Sequence, residues 1–339
     1  MNYNSLTGVN RSMNPNKIPH GQDVLPPEWP DAEWDVGALF VHDQYLNHFL
    51  DVIQKTFDCT IPIKSVFGCY GVMWSGGRSP AGTCTAPIAQ HSGWTPRALF
   101  EEYNKRGIGC TLTFSNTLLE EKHLSDPSSN YLLDMLGEQE YDNNYVTVTS
   151  DILSDYIRKK YPNLKQKASI VKSTMEMPKK RTFEYYDNLT ERFDQVYLHP
   201  DDNLNLKLLK EIADSGKAHR YTSLINELCT RNCSIRDKHY DEISHTVIDG
   251  WHGMFNYTDT TPLHLECEKY TKPDIRFCTL SKPEFKEIYD LGFRTFKLQG
   301  RDGPWAPIFQ DFCTWMVEPN IITFILSKSM GGQHQQSMR

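Results

Sequence analysis

Asn143–Lys172 reads NNYVTVTSDILSDYIRKKYPNLKQKASIVK, and this stretch contains a complete strand, helix and second strand. NNYVTVTS is rich in β-branched and aromatic residues, which suit a pleated, half-buried surface. Ser150 and Asp151 follow as a helix cap and an acidic first turn, predicting a helix over Asp151–Tyr161 that Pro162 ends. Lys167–Lys172 predicts the next strand. Strands that alternate with helices of this length form parallel sheets, because a parallel neighbour needs a crossover connection.

The same alternation runs outward in both directions. Leu46–Phe57 has apolar residues at helical spacing and predicts a helix ahead of the first strand, Ile63–Phe67. Thr95 and Pro96 start a helix that runs to Lys105, and Gly107 stops it before the strand in GIGCTLTF. Asn116–Leu136 is mainly helical, interrupted at Pro127. Downstream come a helix at Phe183–Arg192, a strand in DQVYLHP and an amphipathic helix at Asp202–Ser215, whose Leu204, Leu208, Leu209 and Ile212 share one face. Arg220–Ile225, Ile275–Leu280 and RTFKLQG are further strands, with a helix at Lys282–Leu291 and a last one around Ile308–Val317.

Eight strands in this order predict a (β/α)8 TIM-type barrel over residues 46–320. No GxGxxG opens the first strand–helix turn, so a doubly wound open sheet is disfavoured. Residues 1–45, rich in Asn and Pro and carrying Trp29 and Trp34, are expected to form an extended arm, and residues 321–339 a tail.

The chain has 339 residues, a net charge of −7 and a pI of about 5.9, so no global basic field recruits nucleic acid. Its nine cysteines are odd in number and irregularly spaced, which fits a reducing compartment better than a disulfide framework. The polar N-terminus and the lack of a membrane-length apolar run lead to the expectation of a soluble cytoplasmic protein with no membrane partner.

Chemistry in such a barrel sits just after the strands. Ala218–Tyr240, AHRYTSLINELCTRNCSIRDKHY, reads as a strand followed by a polar turn with Cys229, Cys233 and His239. Two thiols four positions apart in a turn can direct soft ligands at one centre, a metal or an iron–sulfur cluster, with Cys267 and Cys278 downstream as further ligands. The plainer reading is of buried cysteines acting as small apolar residues. Glu227, at a strand end, is either a general base or an acceptor for loop amides. Lys297 alternates with Phe296 and Leu298 and so points into the barrel, where a cation needs a partner such as Glu227. In GCYGVMWSGGR the glycines permit close approach and Arg78 can clamp a carboxylate or phosphate, but the P-loop ending is missing. Asn116 follows the second predicted strand. His245, His252 and His264 lie in an irregular segment where one could complete a zinc site.

The segments SKPEFKEIYDLGFRTFKLQGR and INELCTRNCSIRDKHY resemble the collagenase-like peptidases, number thirty-two among peptidases of unknown mechanism. Lys297, Gly300 and Arg301 match that family's K-I-E-G-R ending, with Gln299 in place of its Glu. Asn226, Cys229, Cys233 and Arg236 match its N-x-x-C…C…R turn. FGCYGVMWSGGR and LTFSNTLLEEKHL are similar to an uncharacterised barrel branch of the superfamily, and the likeness spans Lys64 to Arg301. The resemblance implies a barrel with a 4Fe-4S cluster on four cysteines and oxygen-independent hydroxylation of RNA bases or quinone precursors, beside an older peptidase label. The family's last cysteine falls near Lys286, where this chain has none; Cys278 lies earlier.

The leading expectation is an iron–sulfur barrel enzyme acting on a small anionic molecule or a nucleic-acid base. Cys229, Cys233, Cys267 and Cys278 are the candidate ligands, Glu227, Lys297 and Arg301 the candidate catalytic residues, and Arg78, Asn116, Asn226 and Arg236 the candidate binding residues. The alternatives are a metallopeptidase with zinc on cysteines and His239, and a non-enzymatic scaffold that docks a protein partner through the N-terminal arm and the Trp315 region.

Overall fold

The computed structural model describes residues 20–76, 95–248, 267, 276–299, 305–319 and 321–322. Eight strands close into a barrel in chain order: β1 (Glu33–Val36), β2 (Ile63–Gly68), β3 (Gly109–Phe114), β4 (Tyr145–Val148), β5 (Lys165–Ala168), β6 (Gln195–Leu198), β7 (Tyr221–Leu224) and β8 (Thr295–Leu298). Every neighbouring pair is parallel, and β8 closes on β1. The (β/α)8 expectation holds.

The helices form where capping chemistry demands. In α2 (Pro96–Lys105) Thr95 caps Ala98 N–H, and in α3 (Pro127–Gly137) Asp126 caps Ser129 N–H. Ser150 caps α4 (Asp151–Lys160), Ser169 caps α5 (Ile170–Glu176), Thr182 caps α6 (Phe183–Arg192) and Asn205 caps α7 (Leu206–Asp214). A capping box of Ser281 and Glu284 opens α9 (Lys282–Asp290). Between α7 and α9 lies α8 (Arg236–Ile248).

Four features correct the sequence reading. The barrel's first strand is β1, inside the stretch expected to be an arm; EWDV is short and carries two carboxylates, which depress β propensity. Of the strand expected at Ile275–Leu280, Ile275 lies outside the described residues and residues 276–280 are not in the barrel sheet: Phe277 makes an isolated antiparallel bridge with Thr230, so they pair with the cysteine turn instead. The strand expected at Lys167–Lys172 ends at Ala168, because Ser169 caps a helix over its second half. The cysteine turn continues into α8, which places His239 and His245 on a helix rather than in a turn and an irregular segment.

The outer face of the barrel is aromatic where β1 and β8 meet α9. Trp34 stacks on Phe285 at 5.9 Å, and Phe285 lies 4.4 Å from Phe296, so even-numbered residues of β1 and β8 face the helix layer. Odd-numbered ones therefore face the interior.

The chain divides into two compact units: Asp31–Asp43 with Pro62–Gly303, which contains the barrel, and Met1–Pro30 with Gln44–Ile61 and Pro304–Arg339. The smaller unit is held by aromatic residues from α1 (Asp43–Phe57) and α10 (Trp305–Met316). Phe49 meets Phe309 edge-on at 5.0 Å and Tyr45 stacks on Trp305 at 5.4 Å. Such pairs contribute about 0.5–1.5 kcal/mol each beyond their buried area. Trp29 Nε1 donates to the Trp315 carbonyl at 2.9 Å. Among the described residues, no helix is long and apolar enough to cross a membrane.

Candidate functional site

The barrel interior carries a buried polar network. Asp35 on β1 is fully buried and accepts from Lys167 Nζ (2.7 Å), Ser65 Oγ (2.6 Å) and the Tyr197 hydroxyl (2.9 Å). Lys167 also donates to Ser65 at 3.0 Å, and Thr111 donates to Ser65 at 3.0 Å. The Lys167 ammonium lies 4.3 Å from the centre of the Tyr145 ring. Both charges of the pair are inaccessible to solvent. Lys167 holds the Asp35 carboxyl below its ordinary range although burial opposes it. These groups come from β1, β2, β3, β4, β5 and β6, so the network cross-braces the barrel and forms its floor.

Tyr197 separates this floor from the layer above. Its hydroxyl faces Asp35, while its ring lies 4.1 Å from Lys297 Nζ; the Phe67 ring is 3.9 Å from the same nitrogen. Lys297 thus points inward as its alternation predicts, held between two aromatic faces. Glu227 is engaged elsewhere: Oε1 accepts from Cys229 N–H at 2.9 Å and Oε2 from the Gln299 amide at 3.0 Å. Of the two readings open for Glu227, the geometry matches the acceptor for loop amides.

At the C-terminal rim, Cys229, Cys233 and Cys278 gather near Arg236. Cys278 N–H donates to the Cys229 carbonyl at 3.0 Å, which joins the segment before α9 to the cysteine turn. Cys229 and Cys233 are close enough to influence each other's ionisation. The Cys229 neighbour draws the Cys233 thiol down to about 6 against burial, helped by the Ile235 backbone, and Cys229 is raised in turn. Arg236 Nη2 donates to the Thr230 carbonyl at 2.6 Å and lies 3.4 Å from Cys278 Sγ. Burial pushes the Cys278 thiol up to about 12.

His199, after β6, completes the cluster. Arg236 Nη1 lies 2.9 Å from His199 Nε2, while His199 Nδ1 lies 3.2 Å from the Asp201 N–H and 3.5 Å from Asp201 Oδ2. Burial and the nearby Arg236 and Arg181 cations pull His199 down to about 2, leaving it neutral. Tyr186 fixes the strand end by accepting from His199 N–H at 2.9 Å and donating to Asp202 Oδ2 at 2.7 Å. Arg181 grips the Asp202 carboxylate bidentately at 2.7 and 3.1 Å.

Several expected binding residues instead shape the rim. Asn226 clasps the backbone of Gln299, donating to its carbonyl at 2.8 Å and accepting from its N–H at 2.7 Å. Fully buried Asn116 donates to the Met73 carbonyl at 2.8 Å, tying the end of β3 to the loop after β2. That loop needs Gly76, whose φ is 65° and where a Cβ would sit 2.6 Å from Asn116 Cα. Arg236 is 3% exposed and serves the cluster just described. Cys267 is half-buried and the residues flanking it are outside those described. Arg78, Arg301, His252 and His264 also lie outside the described residues. The sequence reading did not single out Asp35, Lys167 or Asp201. Asp35 and Lys167 do carry a signal, since EWDV and KQKA place charges two apart in buried strands.

No family model and no curated protein matches the chain. A solved U32 peptidase, Mk0906, superposes with a TM-score of 0.50 at 14% identity, covering 80% of this chain and 94% of that one. At that identity the likeness is one of fold: this chain and that structure share the barrel architecture.

Proposed function

We propose that the chain is a barrel enzyme whose reaction centre is the thiol rim, where Cys229, Cys233 and Cys278, with Cys267 as a further donor, hold an iron–sulfur cluster. The substrate is a small anionic molecule or a nucleic-acid base. One observation carries this reading: sulfurs from two separate chain segments are brought to one guanidinium at the end of the barrel where such folds do chemistry. Thiolates are the donors that iron–sulfur clusters take, and zinc accepts them too. The fit is one of donor type. Among the described residues no three His, Cys, Asp or Glu side chains converge as a metal-holding group, and Cys278 Sγ is directed at Asp201 Oδ1, 3.3 Å away.

A bound cluster supplies electron transfer, and Lewis acidity wherever an iron is left open. The protein's own groups have separable tasks. Arg236 offsets the negative charge of the thiolates and orients His199. Glu227 fixes the backbone at Cys229 through its carboxylate. Asn226 clasps β7 to β8, which holds the cysteine turn beside Lys297.

The test is the visible spectrum of protein purified without oxygen, beside a Cys229→Ser, Cys233→Ser double variant. Broad thiolate-to-iron absorption in the parent that vanishes in the variant supports the reading; a colourless parent after reconstitution with iron and sulfide refutes it. That the fold neighbour is a U32 peptidase favours a second reading, a peptidase with zinc on the cysteines and His239. Chelator-sensitive cleavage of gelatin by iron-free protein would establish it.

A further inference from the structure

We propose that α8 is a lid over the mouth of the barrel, anchored at Arg236 and latched by Thr117 to Asp241 and Ser244, and that substrate reaches the interior only when the latch is released. This rests on the reading that substrate enters at the C-terminal end, and it does not depend on whether the thiols hold a metal.

The path of α8 follows from the contacts along it. The helix begins after β7, where Arg236 donates to the Thr230 carbonyl at 2.6 Å and lies 2.9 Å from His199 Nε2 at the end of β6. Further along the helix, about 12 Å up its axis from Arg236, Ser244 is 0% exposed and its Oγ accepts from the Thr117 backbone N–H at 3.1 Å. Asp241, on the preceding turn, accepts from Thr117 Oγ1 at 3.2 Å. Thr117 lies just beyond the C-terminal end of β3, and in a closed ring of eight strands β3 stands directly across from β7. The helix therefore crosses the C-terminal end of the barrel from one side to the other, with α5, which follows β5, packed beside it. Lys297 and the Phe67 and Tyr197 rings that hold it lie on the interior side of this roof.

What holds the roof down is mainly polar. Among the described side chains of α8, Val247 is the one buried apolar residue, whereas α7 buries Leu208, Leu209 and Ile212 and α9 buries Phe285, Ile288 and Tyr289. A helix with so little apolar surface beneath it opens at a smaller cost than the helices that cover the strands. The latch also suits release. Ser244 Oγ donates its own proton to the Tyr240 carbonyl at 3.0 Å, so it meets Thr117 as an acceptor only. Water can take the place of either partner when the helix lifts, which keeps the net strength of such bonds small. Arg236 is 3% exposed and tied to the ends of β6 and β7, so this end of the helix stays in place as the other moves. Closure of a lid of this kind excludes water from the groups it covers.

The experiment compares the whole parent protein with Ser244→Ala and Thr117→Val by hydrogen exchange and by acetylation with acetic anhydride, both read by peptide mass spectrometry. In the parent, α8 amides are expected to exchange faster than those of α7 and α9, and Lys297 to be acetylated more slowly than exposed Lys207. Either substitution should raise α8 exchange and Lys297 acetylation together, by about tenfold, with exchange in β3 and β7 unchanged. Exchange in α8 as slow as in α7 and α9 would show a fixed roof and overturn the proposal. So would a rise in one readout without the other, because opening would then not govern access. Ser244→Ala removes a single oxygen, so it carries the test if Thr117→Val does not fold. Neither readout involves iron or sulfide: a colourless protein leaves the lid standing, and a fixed roof leaves the thiol rim standing.

Discussion

The barrel floor and its rim use similar polar residues to different ends. In the floor, Asp35 and Lys167 are sealed from solvent and their partners saturate them. At the rim, Arg236 holds sulfurs, an imidazole and a carboxylate together at longer distances, and Asp201 retains 12% side-chain exposure. A closed network of short bonds fixes geometry; a looser one beside solvent leaves room for chemistry. The difference separates the residues that build the barrel from those to which the proposed function assigns chemistry.

The largest effect is expected in the floor. Lys167→Met strands a buried carboxylate and should lower unfolding free energy by about 3–5 kcal/mol, read from urea titration. Adding Asp35→Leu should recover most of that loss; a double variant as unstable as the single one would show that the pair is not the unit that matters. Tyr197→Phe removes a hydroxyl that donates to the same carboxylate and should cost about 1.5–3 kcal/mol by the same measurement.

At the rim the signature is pH dependence. His199 is held near 2 in the folded chain, against an ordinary histidine value of 6.5. Below that ordinary value the unfolded chain takes up a proton that the folded chain refuses. Stability from this residue is therefore complete above it and is lost as pH falls, by up to about 1.4 kcal/mol per pH unit. Compared with His199→Gln, the parent should lose more stability between neutral and mildly acidic pH; parallel stability curves would contradict the assignment. The smallest stability effect belongs to the thiols. Cys229→Ser, Cys233→Ser should change unfolding free energy by no more than about 0.5–1 kcal/mol in metal-free protein, since both cysteines are only half-buried.

The barrel was readable because alternation of strand and helix is a property of local sequence, and β2, β3, β4, β6 and β8 fall where their β-branched or aromatic runs place them. Its count of eight survives two errors that cancel. β1 hides because Asp35 and Glu33 break the apolar pattern that marks a strand, and the charge at Asp35 is compensated only by residues distant in sequence. Ile275–Leu280 reads as a strand because it is largely apolar, yet the backbone of Arg276, Phe277 and Cys278 pairs with the cysteine turn. The inward direction of Lys297 could be read from alternation alone. The roles of His199 and Arg236 could not, because they arise from a contact between the end of β6 and the start of α8.

Iron and acid-labile sulfide per chain, measured in the parent, in Lys167→Met and in Cys229→Ser, Cys233→Ser after identical anaerobic reconstitution, tests the division of labour most directly. The account predicts stoichiometric iron and sulfide in the parent and in any Lys167→Met protein that folds, and near-total loss in the cysteine variant. Equal iron and sulfide in the parent and the cysteine variant, or none in either, would contradict it.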